Sequence, residues 1–208
     1  MLKTRSLSFA YNHQTEFSFP DIEVGQGEDL LILGESGIGK TTLLHIIAGL
    51  LSPNKGYVEL SGTQLNSLPT HKLDRFRGSH IGIIFQRPYF VSALSLKENL
   101  TLVQYLGGQK QDQQWIQKVV DDLGLKHKLD LKPHQMSQGE QQRASIALAV
   151  VNNPQLILAD EPTSSLDDKN CDRVISLLKR QAVVTGAQLI VITHDQRLKQ
   201  HFNKALEL

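Results

Sequence analysis

Five stations along this sequence carry residues whose types and spacing can do chemistry. The first is Gly34, Gly39, Lys40 and Thr41, which satisfy G-x-x-x-x-G-K-[ST]. Glycines at this spacing let the backbone wrap closely and aim its N–H groups inward. Lys40 offers a mobile positive charge to a β- or γ-phosphate, and Thr41 offers a hydroxyl to Mg2+. The second station is Asp160-Glu161, two adjacent carboxylates that end the apolar run QLILAD. Such a pair is costly unless it is used or solvated. An Asp at this place can hold Mg2+, and Glu161 can take a proton from an attacking water. Gln86 and His194 are the third and fourth, each ending an apolar run (IGIIFQ and QLIVIT-H). Taken singly, a solvated strand end and a structural histidine explain these two as simply. The fifth is Ser137-Gln138-Gly139-Glu140, a capping box that predicts a helix start and with it a second anion site. A well-capped helix alone would account for it.

These groups need elements to position them. Asp29–Leu33 is short, apolar and ends at a glycine, which suits a central parallel strand covered on both faces. A helix is expected over residues 41–51, then a turn at SPNKG and a strand at GYVEL. Residues 4–11 and 16–24 read as strands, with Pro20 marking an edge or bend. Thr70–His80 suits a short, basic, exposed helix, and residues 81–86 a buried strand. From residue 87 to about 135 apolar strand runs give way to helical patterns (SLKENLTLVQYL and QQWIQKVVDDLGL), separated by the polar GGQKQDQQ. This stretch reads as a helical insertion whose small core Trp115 anchors. Helices over 137–152 and from Asp168 to about 184, strands over 155–160 and Gln188–Thr193, and a final edge strand ALEL complete the pattern. Three apolar strands and the loop after a fourth therefore put polar groups along one edge of a parallel sheet, where a nucleotide binds in open α/β folds.

Composition limits the alternatives. The 208 residues suit one domain, and a net charge of +1 gives no bias toward nucleic acid. Cys171, the single cysteine, excludes an internal disulfide and reads as a helix-packing residue. No apolar stretch approaches the ~18 residues of a membrane span, and the first residues lack the apolar segment of a leader peptide. Asn54-Lys55 begins a guanine-reading N-K-x-D, but Tyr57 stands where the Asp belongs, which disfavours a GTPase. Tyr11 fits either half-buried packing or a platform for an adenine ring.

The order GESGIGKTT, Gln86, MSQGEQQR, ILADEPTSSLD and ITHD resembles the ATP-binding subunit of ABC transporters. The likeness runs from Tyr11 to about Asp195, and RGSHIGIIFQ further resembles the lipoprotein-release and macrolide-efflux group. The resemblance implies an α/β P-loop NTPase with a mostly parallel central sheet and an N-terminal antiparallel β-subdomain. A helical subdomain at about 87–150 would be inserted in a RecA-like core, all within one domain spanning 1–208. Tyr11 would stack on adenine, and Gly34, Glu35, Ser36, Gly37, Ile38, Gly39, Lys40, Thr41 and Thr42 would cradle the phosphates of ATP. Thr41, Gln86 and Asp160 would serve Mg2+ and its waters. Glu161 would be the general base, His194 would contact the γ-phosphate, and Lys40 and Gln86 would complete the catalytic set.

Further implications concern assembly. Two copies would pair head to tail, with Ser137 and Gly139 of one closing on the ATP of the other and Asp167 at the seam. A separate membrane permease would dock near residues 87–96, where Tyr89, Phe90 and Leu94 are expected to be exposed. That places the chain peripherally on the cytoplasmic face of the inner (plasma) membrane, with no nucleic-acid partner. A mechanical or signalling ATPase beside a permease-like partner is the competing reading. Two features depart from the common signature L-S-G-G-Q: Gln138 replaces a glycine, and Glu140 is expected to fold back onto the Ser137 amide. The sequence ends soon after His194, so no C-terminal regulatory domain is expected.

Overall fold

The structure, a computed structural model, describes residues 1–11, 16–164 and 166–208. Residue 165 lies outside the described residues. Two sheets organise the rest. The N-terminal one is antiparallel: β1 (Leu2–Ala10) pairs with β2 (Glu16–Ser18), with β3 (Glu23–Val24) and with β5 (Lys55–Leu60), and β5 pairs with β6 (Thr63–Gln64). The single strand expected over 16–24 is thus two short ones, with Pro20 between them, where the missing N–H interrupts the ladder.

The second sheet is parallel throughout. Its order is β10 (Ala205–Glu207), β4 (Asp29–Leu33), β9 (Gln188–Thr193), β8 (Leu156–Asp160) and β7 (Ile81–Ile84). Parallel neighbours need long crossovers, and helices supply them. These are α1 (Lys40–Ile47), α2 (Thr70–His80), α3 (Leu96–Leu106), α4 (Gln113–Asp122), α5 (Gln138–Val150) and α6 (Asp168–Thr185). Helix α1 is shorter than the expected 41–51 because Gly49, at φ +66°, turns the chain out of the helix.

Alternation along the strands divides the core. Leu31, Leu33, Ile157, Ala159, Leu189 and Val191 join one buried cluster with α3–α6. Leu30, Ile32, Leu156, Leu158, Ile190 and Ile192 face the other, with α1 and the antiparallel sheet. Successive side chains on a strand point to opposite faces, so both faces must be covered, and these runs are apolar without a break. The helices after residue 87 share the first cluster and have no small core of their own. Trp115 is half-buried against that cluster, and its Nε1 donates to the Val151 carbonyl at 2.8 Å. Cys171 is buried on α6 and unpaired. No helix among the described residues is long and apolar enough to cross a membrane.

Register delivers the chemistry to one edge. Leu33 lies beside Thr193 and Asp160 beside Ile192, so the carboxyl ends of β4, β9 and β8 are level. The loop from Gly34, the turn at His194 and the pair Asp160-Glu161 therefore emerge side by side. Strand β7 stops at Ile84, so Gln86 sits two residues past its end.

Candidate nucleotide site

The loop between β4 and α1 closes on itself through Lys40. Its side chain is almost fully buried, and Nζ donates to the carbonyls of Gly34 and Glu35, both at 2.8 Å. The loop backbone needs glycine where it turns: Gly39 has φ +104°, and a Cβ there would lie 2.7 Å from the Phe17 ring. Helix α1 begins at Gly39 with no side-chain cap, so its first N–H groups and its dipole face the loop. Tyr11 reaches the same place from the antiparallel sheet. Its ring is 63% exposed, stands edge-on to Phe9 at 4.8 Å, and its hydroxyl is 3.0 Å from Thr42 Oγ1.

The carboxylates divide between two neighbours. Asp160 Oδ2 accepts from Thr41 Oγ1 at 3.0 Å, while Oδ1 is buried with no partner among the described residues. Burial pushes the Asp160 carboxyl above its ordinary range, against the pull of the Thr41 hydrogen bond. An orphaned buried carboxylate oxygen beside a hydroxyl is a hard-oxygen donor set that fits Mg2+. Glu161 has φ +49°, a left-handed conformation rare for a side chain this size and worth about 1–3 kcal/mol of strain. Its N–H donates to the Ile192 carbonyl at 2.8 Å, which holds the turn.

The turned Glu161 carboxylate collects three hydrogen bonds and a nearby cation. Oε2 accepts from Thr193 Oγ1 at 2.8 Å, and Oε1 accepts from the His194 backbone N–H at 3.1 Å. His194 Nδ1 is 2.8 Å from Oε1 and must carry the hydrogen there, since a carboxylate only accepts. Lys40 Nζ stands 3.8 Å from the same oxygen. Lys40, Thr41, Asp160, Glu161 and His194 are therefore one constellation. Thr193, fully buried, is the member that sequence reasoning missed; its signal was its place at the polar end of an apolar strand.

Three expected residues lie outside that constellation. The exposed Gln86 side chain makes no hydrogen bond among the described residues. Ser137 and Gly139 sit exposed at the start of α5. There the capping box is closed from both sides: Ser137 N–H donates to Glu140 Oε2 at 2.8 Å, and Ser137 Oγ accepts from Glu140 N–H at 3.4 Å. The Ser137 backbone hydrogen bond, with Lys128 at 3.1 Å, lowers the Glu140 carboxyl to about 2. Phe90 corrects the expected exposure of the 87–96 segment. It packs partly buried on the core, Leu94 is half-buried, and Tyr89 is the exposed aromatic at 71%.

The sequence matches the ABC transporter family over residues 19–164. The chain belongs to this family. A putative hemin import ATP-binding protein, HrtA of Staphylococcus haemolyticus, is 39% identical over 190 residues, covering 90% of this chain and 86% of that protein. The macrolide export ATP-binding/permease protein MacB of Campylobacter jejuni is 39% identical over 189 residues, but the match covers only 29% of it. Among solved structures, the dimeric form of MJ0796, a bacterial ABC transporter cassette, superposes with TM-score 0.88 at 29% identity, covering all of this chain and 94% of that one. A post-hydrolysis state of the same cassette with ADP and Pi gives 0.87 at 30% identity, with the same coverage. This ABC cassette has the P-loop NTPase fold expected of it, binds nucleotide and hydrolyses ATP. It is the kind of subunit that powers a transporter through dimerisation, together with membrane permease subunits.

Proposed function

We propose that two copies of this cassette close head to tail on two Mg·ATP, each site taking Lys40, Thr41, Asp160, Glu161 and His194 from one copy and Ser137 and Gly139 from the other. The observation that carries this reading is the split itself. One half of the chemistry is wired into a single cluster around Glu161, while the α5 start stands exposed and apart, its Ser137 hydroxyl free to donate outward. Residues 34–42 wrap the phosphates, and Tyr11 stacks on the adenine. Asp160 and Thr41 hold Mg2+, with Gln86 toward its waters; bound there, the ion neutralises charge on the phosphates.

In the reaction a water attacks the γ-phosphorus and the bond to the β-bridging oxygen breaks, giving ADP and inorganic phosphate. Glu161 takes the proton of the attacking water. Lys40 and His194 stabilise charge on the transferring group, and the Ser137 hydroxyl and α5 dipole add donors from the opposite side. ATP then holds the dimer shut and hydrolysis releases it.

The permease docks near residues 87–96. A groove of about 910 Å3 beside that segment supports this, with Phe85, Tyr89, Tyr105 and Leu106 among its lining. In this reading residues 87–150 form the helical arm of a single domain, and the chain sits on the cytoplasmic face of the membrane through its permease. The test is Glu161→Gln. The variant should elute as a dimer with Mg·ATP and lose about 10^2- to 10^4-fold in kcat. Hydrolysis at the parent rate would remove Glu161 as the base.

A further inference from the structure

We infer that Arg197 is a positioning residue for hydrolysis, tying the Glu161–His194 cluster to the segment that the proposed dimer seam would touch. The inference rests on the roles proposed above for Glu161 and His194, and on the place at the dimer seam that the family resemblance implies for Asp167. Arg197 lies in the short 3-10 segment Gln196–His201 that follows β9. Its guanidinium grips Asp195, with Nε 2.9 Å from Oδ1 and Nη2 2.7 Å from Oδ2. The same group pairs with Asp168 through Nη1 and donates from Nη2 to the Leu166 carbonyl at 3.4 Å. Asp168 opens α6, and Asp167 is that helix's N-cap, accepting from Asn170 N–H at 2.8 Å. One side chain thus spans the turn after β9 and the entry to α6.

The other end of this bridge reaches the reacting carboxylate. The Asp195 N–H donates to Thr193 Oγ1 at 3.0 Å, and that hydroxyl donates to Glu161 Oε2 at 2.8 Å. Asp195 also accepts from the buried Thr163 hydroxyl at 3.4 Å, which anchors it to the chain just beyond Pro162. The Asp195 side chain is 10% exposed, and Arg197 holds its carboxyl below the ordinary range. An unbroken line of hydrogen bonds therefore runs from Glu161 through Thr193, Asp195 and Arg197 to Leu166 and Asp168. A surface ion pair alone would do little. This arrangement instead fixes where Glu161 stands relative to residues 166–168, so that closing the seam is felt at the base. Only a planar fork with several donors reaches Asp195, Asp168 and a carbonyl together; lysine, a point charge, does not.

The test is steady-state ATP hydrolysis by the full chain carrying Arg197→Met, Arg197→Lys, Asp168→Asn or the Arg197→Met/Asp168→Asn pair, with His194→Ala as comparator. Arg197→Met should lower kcat about 10- to 100-fold, the scale of a misplaced reacting group. KM for ATP should stay at the parent value, while the melting temperature falls because the nearly buried Asp195 carboxylate loses its partner. Arg197→Lys should be as slow as Arg197→Met, and the double variant no slower than Arg197→Met, since both substitutions break one bridge. Parent-level kcat in Arg197→Met beside a slow His194→Ala would overturn the inference and leave the site reading intact. Full rescue by Arg197→Lys would overturn it too, and so would a kcat loss accompanied by an equal rise in KM. Parent-level kcat in His194→Ala would overturn the site reading itself, and the inference with it.

Discussion

The two helix starts that could bind anions, α1 and α5, are built in opposite ways. Helix α1 begins at Gly39, in a left-handed conformation, with no side chain on its first N–H groups. Helix α5 begins at Ser137 with a complete capping box, so its own Ser and Glu satisfy the donors that α1 leaves open. The difference extends outward. Around α1 a buried lysine, two carboxylates, a threonine and a histidine are hydrogen-bonded or ion-paired to one another. Around α5 the exposed residues Ser137, Gln138 and Gly139 contact none of that cluster. A loop that must wrap phosphates on its own leaves its backbone donors unassigned. A surface that acts only after docking satisfies itself first, and keeps hydroxyl hydrogens to offer.

Lys40→Ala breaks the comparison most directly, because it removes the one mobile charge of the α1 half. The loss of a charged hydrogen-bond donor to phosphate, worth about 1.5–3 kcal/mol, should weaken ATP binding roughly 10- to 150-fold by titration calorimetry. It also strips the Gly34 and Glu35 carbonyls of their donor and Glu161 of its nearby cation. Unchanged affinity would mean that the α1 half does not need its charge, and the asymmetry would lose its meaning.

Ser137→Ala probes the other half. Removing an N-cap hydroxyl costs about 0.5–2 kcal/mol of stability, near 2–4 °C in melting temperature for each kcal/mol at this chain length. ATP affinity of the isolated subunit should not move, because Ser137 touches nothing in the α1 cluster. If the hydroxyl acts on the partner's ATP, kcat should fall as well, while Ser137→Thr keeps both cap and hydroxyl and should restore it. A kcat that follows only the melting temperature would reduce α5 to a capped helix.

How far these halves were legible in the sequence follows from what each depends on. Asp29–Leu33 and Gln188–Thr193 match their expected bounds because each is an unbroken apolar run that polar or turn residues end, and Thr70–His80 matches because Pro69 marks its start and the apolar run from Ile81 its end. The Ser137–Glu140 box, including the fold-back of Glu140 onto the Ser137 amide, is a short-range device and was equally readable. That the phosphate loop, Asp160-Glu161 and His194 share one edge was inferred only from polar groups at strand ends, and the Lys40–Glu161 approach was not foreseen. Nor was the left-handed turn at Glu161, which depends on an N–H bond to Ile192, a neighbour 31 positions away in sequence. Phe90 and the missing separate core of the helical arm failed for the same reason. Burial is set by what packs from elsewhere, and an aromatic in a polar stretch does not announce its partner.

The smallest effect isolates the cap itself. The Glu140 carboxyl is lowered to about 2 from the usual 4.5, first by the Ser137 backbone hydrogen bond and then by Lys128. A carboxyl depressed in the folded state adds stability above its unfolded value, and that part is lost as pH falls toward the folded value. The melting temperature of the parent should therefore exceed that of Glu140→Gln by a constant amount above about pH 4.5. The gap should narrow as pH drops and close near pH 2, even while both proteins lose stability through their other carboxylates. The substitution keeps an acceptor within reach of the Ser137 N–H, so the gap reports the charge and not the loss of the box. A gap that persists to pH 2 would mean that the Glu140 charge does not hold this helix start. The self-contained character of the α5 half would then rest on Ser137 alone.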